Sequence, residues 1–128
     1  MMHDRPWWLT TALSGALMVM IGALGAHVLA AELTPRLMAA FETGVRYQAW
    51  HTLAMLGVLA WRATLPLPGQ RLVLALWAAG MLLFCGSLYG LALSGMDWLG
   101  PLTPMGGLLL ILGWLTLAGV VLRNRSKV

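Results

Sequence analysis

Polar residues are sparse along most of this chain, so the informative pattern is where they interrupt the apolar sequence. A helix crossing a hydrocarbon core needs about 20 predominantly apolar residues. Four stretches meet that length: about 7–31, 39–61, 72–95 and 104–122. The second is the least apolar, because Glu42, Arg46, Gln48 and His51 interrupt it. Its apolar part after His51 is too short to cross alone, so a spanning helix must carry some of these groups. The breaks have local causes. In Leu65-Pro66-Leu67-Pro68-Gly69 each proline lacks an amide donor and restricts the residue before it. Gly100-Pro101 breaks the third connection in the same way. Thr34-Pro35 and Thr103-Pro104 each set a capping hydroxyl before a proline at the first helical position, a helix-start signal.

Composition removes the soluble alternatives. Hydrophobic residues make up 60% of the 128 positions and charged residues 9%, against about 45–50% and about 25% in ordinary soluble domains. Eight Lys/Arg and four Asp/Glu are too few to keep a protein of this size dispersed in water. The expected fold is therefore all-α: one membrane-embedded four-helix bundle, residues 1–128, with short loops and the bilayer as its first partner. The N-terminal apolar stretch is long enough to span, so it reads as a retained helix and not a cleaved signal peptide. The formal charge of +4 comes from scattered residues without interleaved aromatics, which excludes a nucleic-acid surface. Those residues sort by side instead. Arg5, Arg62, Arg71, Arg123, Arg125 and Lys127 share one side of a four-span topology, and only Arg36 and Arg46 fall on the other. The positive-inside bias then places both termini in the cytoplasm. Trp7, Trp8, Trp61 and Trp98 lie at the expected boundaries, where indoles prefer to sit.

Helices in lipid associate through close packing and hydrogen bonds, because lipid tails are as apolar as leucine. Small residues that let backbones approach are Gly22 and Ala26 in the first span, Gly86, Gly90 and Ser94 in the third, and Gly106 and Gly113 in the fourth. A weak internal repeat accompanies them. A shift of 69 positions aligns Leu33-Thr34-Pro35 with Leu102-Thr103-Pro104 and Gly44 with Gly113, as a parallel duplication of helix pairs would.

Helical spacing divides the polar residues of the second span into two stripes. Glu42, Arg46 and Trp50 are successive i,i+4 neighbours, suited to an ion pair with the guanidinium over the indole. Gly44, Gln48, His51 and Met55 form another face. With His27, Tyr89 and Thr103, the residues Glu42, Arg46, Gln48 and His51 define a candidate polar site in the outer half of the bundle. Structural pairing is the plain alternative, since a lone charge at mid-bilayer costs about 2.5–3.5 kcal/mol on insertion scales. No catalytic residue can be nominated, because nucleophile elbows, zinc-protease motifs and phosphate loops are all missing. His27 and His51 could in principle ligate haem or a metal, but no further ligands accompany them, and no cofactor is expected. Cys85 lacks a basic neighbour to activate it.

Four ordered motifs carry a family resemblance: Gly22-Ala23-Leu24-Gly25-Ala26-His27-Val28-Leu29, then Phe41-Glu42-Thr43-Gly44-Val45-Arg46-Tyr47-Gln48-Ala49-Trp50-His51-Thr52-Leu53, then Phe84-Cys85-Gly86-Ser87-Leu88-Tyr89, then Gly100-Pro101-Leu102-Thr103-Pro104-Met105-Gly106-Gly107. Together they resemble the small membrane proteins labelled domain of unknown function 423, a family similar to eukaryotic transmembrane protein 256. The resemblance runs from about residue 12 to residue 118. Cys85 stands where the family often has Ser, and Trp50 where it often has Tyr. It implies a multi-pass protein of the inner (plasma) membrane and brings no activity, substrate or catalytic residue. The leading expectation is a non-enzymatic accessory or structural protein, as a homo-oligomer or within a larger membrane complex. The alternative is a small oligomeric transporter or channel lined by the outer polar residues.

Overall fold

The computed structural model describes residues 2–128, with side chains from His3 onward. Four helices follow one another: α1 (Arg5–His27), α2 (Pro35–Thr64), α3 (Gln70–Ser94) and α4 (Leu102–Arg123). Short 3-10 turns at Met2–Asp4, Leu29–Ala31 and Asp97–Leu99 complete the order. By length and composition α1, α3 and the segment ending in α4 are apolar enough to cross a membrane. The helix α2 is not among them: Arg36, Glu42, Arg46, Gln48, His51 and Arg62 are spread along its 30 residues.

Several boundaries differ from the sequence expectation. The first helix stops at His27, not near residue 31: after Val28 the chain tightens into the Leu29–Ala31 turn. The second helix is longer than its apolar stretch. It starts directly after Thr34, whose Oγ1 accepts the Leu37 N–H at 3.3 Å with Pro35 in the first turn. In α4 the expected cap is displaced, since the helix begins at Leu102 and the Thr103 hydroxyl turns to Ser87 at 2.6 Å. Only Gly69 and Gly95 adopt positive φ among the described residues. Both flank α3, where a side chain would strain the turn.

Packing runs mainly in sequence, α1 on α2, α2 on α3 and α3 on α4, with no comparable interface between α1 and α4 among the described residues. The core accordingly sits on α2 and α3, with Met55, Leu59, Val73, Leu74 and Trp77 at most 1% exposed. The outer faces of α1 and α4 present Leu13, Val19, Met20, Ile111, Leu115 and Leu122. A groove of about 430 Å³ opens between α1 and α3, with Gln48 and Cys85 in its lining.

Close approaches fall only partly on the expected small residues. A Cβ on Gly106 would lie 2.8 Å from Phe84 Cα and nearer still to its backbone nitrogen, so α3 and α4 touch backbone to backbone there. A Cβ on Gly113 would enter the Trp77 indole. Gly90 is filled by Leu99, and Gly22 makes ordinary contact with Val45. Gly86 is a correction: nothing lies within 4 Å of its Cβ position, because it faces the open groove. Ala26 and Ser94 are exposed, so they are not packing residues either. Gly25, Gly44 and Gly80 supply unforeseen approaches, to Phe41, Tyr89 and Leu110. These contacts also bear on the repeat. Gly25–Phe41 pairs α1 with α2 around residue 33, and Gly80–Leu110 pairs α3 with α4 around residue 95. The hairpins are thus offset by about 62 positions (95 − 33), so their packing register does not follow the 69-residue alignment.

Candidate functional site

The inward face of α2 organises the polar interior. Tyr89 on α3 donates its hydroxyl to Gln48 Oε1 at 2.7 Å. The Gln48 amide Nε2 donates to the Ser14 carbonyl at 3.0 Å and to Ser14 Oγ at 3.3 Å. Ser14 Oγ meets Thr52 Oγ1 at 2.7 Å. One amide therefore ties α1, α2 and α3 together at mid-helix. Tyr89 can approach because Gly44 leaves its ring room. Replacing Tyr89 by Phe should cost less than about 1 kcal/mol in a denaturation series in mixed micelles, since buried interhelical hydrogen bonds in membrane proteins average about 0.6 kcal/mol. Gln48→Leu, which also orphans the hydroxyls around it, should cost more.

His51 belongs to a second, aromatic group. Its Nδ1 lies 2.8 Å from the Tyr47 carbonyl, and Trp114 Nε1 lies 3.0 Å from its Nε2. An indole can only donate, so Nε2 accepts and Nδ1 carries the proton for Tyr47. The ring is thus held as one neutral tautomer between α2 and α4. Trp77 meets it edge-on at 5.9 Å and lies 4.6 Å from the Trp114 ring. The lone pair a haem iron or metal would need is engaged by Trp114, and His27 is exposed at the end of α1. Among the described residues no group of three or more His, Cys, Asp or Glu could hold a metal ion.

The expected site residues therefore do not converge. Gln48 and Tyr89 share one network, His51 another, and Thr103 pairs with Ser87. Glu42 and Arg46 are exposed beside a shallow cleft of about 260 Å³ shared with Gly22, Phe41 and Val45. Their expected ion pair does not form among the described residues, and Trp50 packs on Tyr47 at 5.0 Å with no guanidinium over it. At that end the ion pair is Arg36 with Asp97, 3.8 Å apart and largely exposed.

The strongest ionic constellation lies at the opposite end. Asp4, ahead of α1, accepts Arg62 Nε at 2.8 Å on one oxygen and Arg71 Nε at 2.9 Å on the other. Arg62 Nη1 donates to Gln70 Oε1 at 3.2 Å. Gln70, fully buried, also accepts the Leu67 N–H at 2.8 Å and donates to the Leu65 carbonyl at 3.1 Å. The carboxylate, two guanidinium groups and one amide thereby fix the starts of α1 and α3 to the end of α2 and pin the proline loop. The sequence marks Arg62 and Arg71 as boundary cations. Their partner stands 58 and 67 positions away, which no local spacing reveals.

Partial burial pushes the Asp4 carboxyl upward, but the hydrogen bonds and charges of Arg71 and Arg62 outweigh it and hold the group below the usual carboxylate range. A depressed folded value stabilises the fold above the ordinary carboxylate pKa of about 3.9, and that contribution is lost as pH falls through the folded value. Thermal midpoints in detergent should accordingly drop on acidification below about pH 4. Asp4→Asn should remove most of that acid dependence. An unchanged slope would refute the assignment to Asp4.

Residues 21–107 match the family model described as protein of unknown function (DUF423). The chain is 39% identical to a UPF0382 membrane protein of Haemophilus influenzae, over 90% of this chain and 92% of that one. It is likewise 39% identical to the UPF0382 inner membrane protein YgdD of Escherichia coli K12, over 99% and 98%. A UPF0382 membrane protein of Staphylococcus haemolyticus is 40% identical over 80% and 87%. No solved structure matches. Near-complete coverage at these identities, with the match extending through the polar face of α2, shows that the chain belongs to the DUF423 family of membrane proteins of unknown function.

Proposed function

We propose that this protein is a non-enzymatic structural or accessory component of the inner membrane, crossing the bilayer four times with both termini cytoplasmic and assembling with itself or with other membrane proteins. One observation carries this reading. The buried polar side chains of the bundle direct their bonds at one another, in the Tyr89–Gln48–Ser14–Thr52 and Trp114–His51–Tyr47 networks. Groups committed in this way tie helices together and are not poised for chemistry. The broad apolar faces of α1 and α4 suit lipid or neighbouring helices. The cation asymmetry supports the orientation. The name of the Escherichia coli relative supports the inner membrane as its location. Purification from native membranes in mild detergent tests the assembly. A stable oligomer or a stoichiometric partner is expected, and a bare monomer throughout would contradict it.

A second reading, an oligomeric transporter or channel, draws on Glu42 and Arg46, which are exposed without an ion pair beside a cleft. Apposed copies could line a path with them. Flux into proteoliposomes tests it, and identical flux for the wild type and an Arg46→Ala/His51→Ala double variant would reject that role.

A further inference from the structure

The Asp4 constellation carries more positive than negative charge. One carboxylate faces two guanidinium groups, so a net charge of about +1 remains after pairing, because arginine stays protonated at any working pH. Donors remain as well. Arg62 engages Nε and Nη1, and Arg71 engages Nε and Nη2. This leaves Arg62 Nη2 and Arg71 Nη1 without partners among the described residues. The Arg62 side chain is 15% exposed and that of Arg71 48%, so the remaining N–H groups can be reached from outside, and a guanidinium donor favours an anionic acceptor. A cleft of about 230 Å³ lies beside them, lined by Trp8, Leu59, Arg62, Pro66 and Arg71 with Asp4.

The cleft is amphipathic in the manner of a bilayer boundary. Its charged wall comes from the residues that end α2 and begin α3. Its accessible apolar side comes from Trp8 in the first turn of α1, Ala63 near the end of α2 and Pro66 just after it. Trp8 is partly exposed at this level, where an indole fits between headgroup and acyl chain. A free anion would use the arginines alone, whereas a phospholipid would use both walls.

We propose that this cleft binds the phosphate of an anionic membrane phospholipid, with Arg62 and Arg71 as donors, Asp4 as the competing internal anion, and Trp8 against the upper acyl chain. The proposal rests on the reading above that this end of the bundle lies at a membrane boundary, and it adds a ligand class. It does not depend on which side of the membrane that boundary faces.

Native mass spectrometry of the full-length protein in mixed micelles, comparing retained phosphatidylglycerol with phosphatidylcholine, provides the test. The wild type should prefer the anionic lipid by about fivefold, since one arginine near a charged surface is worth a factor of that size. Arg71→Gln should erase most of the preference. Asp4→Asn should raise it, because the internal competitor is gone while both donors remain. Equal retention of the two lipids by the wild type would overturn the proposal without any variant having to fold. So would an undiminished preference in folded Arg71→Gln. Displacement of phosphatidylglycerol by millimolar inorganic phosphate would assign the site to a free anion instead, and would overturn the lipid assignment. Micelles have no sides, so reporter fusions that reversed the termini would refute the orientation and leave this result standing.

Discussion

Gly106→Ala should destabilise the protein by about 2 kcal/mol, as forcing a methyl into a closed contact does. The new Cβ would meet the backbone of Phe84, which cannot rotate away as a side-chain tip can. The α3–α4 pair would have to separate along its length, since Gly80–Leu110 and Gly113–Trp77 hold the same register. Gly86→Ala supplies the control. It sits in an equally apolar helix, but nothing lies within 4 Å of its Cβ position, so the better helix propensity of alanine should leave stability unchanged or slightly raised. Unfolding in mixed micelles by increasing denaturing detergent reads both variants. Equal behaviour would show that the α3–α4 approach is not tight.

Trp77→Ala should be more damaging still, at about 3–5 kcal/mol, the usual cost of emptying a buried Trp site. Trp77 is fully buried against the His51 and Trp114 rings and the bare backbone of Gly113. Removing it leaves a void where three helices meet. Within lipid this loss is one of packing contacts more than of water exclusion. Trp77→Phe should cost much less. It refills part of the space and sacrifices no hydrogen bond, because the indole N–H has no partner among the described residues. If Trp77→Phe proved as harmful as Trp77→Ala, an unseen partner for that N–H would be implied.

Much of the architecture was legible in the sequence because its causes are local. Apolar length, the Pro66-Leu67-Pro68-Gly69 break and the Thr34-Pro35 start place the helices. The 3.6-residue period also separates the faces of α2: Gly44, Gln48, His51 and Met55 are buried, whereas Glu42, Arg46 and Trp50 are exposed. What failed required knowledge of the neighbours. Gly86 looks like Gly106 in sequence, yet one faces a groove and the other a backbone. The i,i+4 spacing allows Glu42 to reach Arg46, but the two side chains stay apart among the described residues. Thr103 resembles a cap, but Ser87 across the helix interface offers its hydroxyl a partner. The Asp4 constellation joins three distant segments, so only the folded chain assembles it.

The least apolar helix is also the one on which the whole topology turns. If α2 crosses the bilayer, both ends of the chain share a side. Paired fusions of a periplasm-active and a cytoplasm-active reporter, placed at each terminus and in the 32–34 and 65–69 connections, measure this directly. The termini and the 65–69 connection should report the cytoplasm, and the 32–34 connection the opposite side. If the 32–34 and 65–69 connections reported the same side, α2 would not span and the four-crossing account would be wrong.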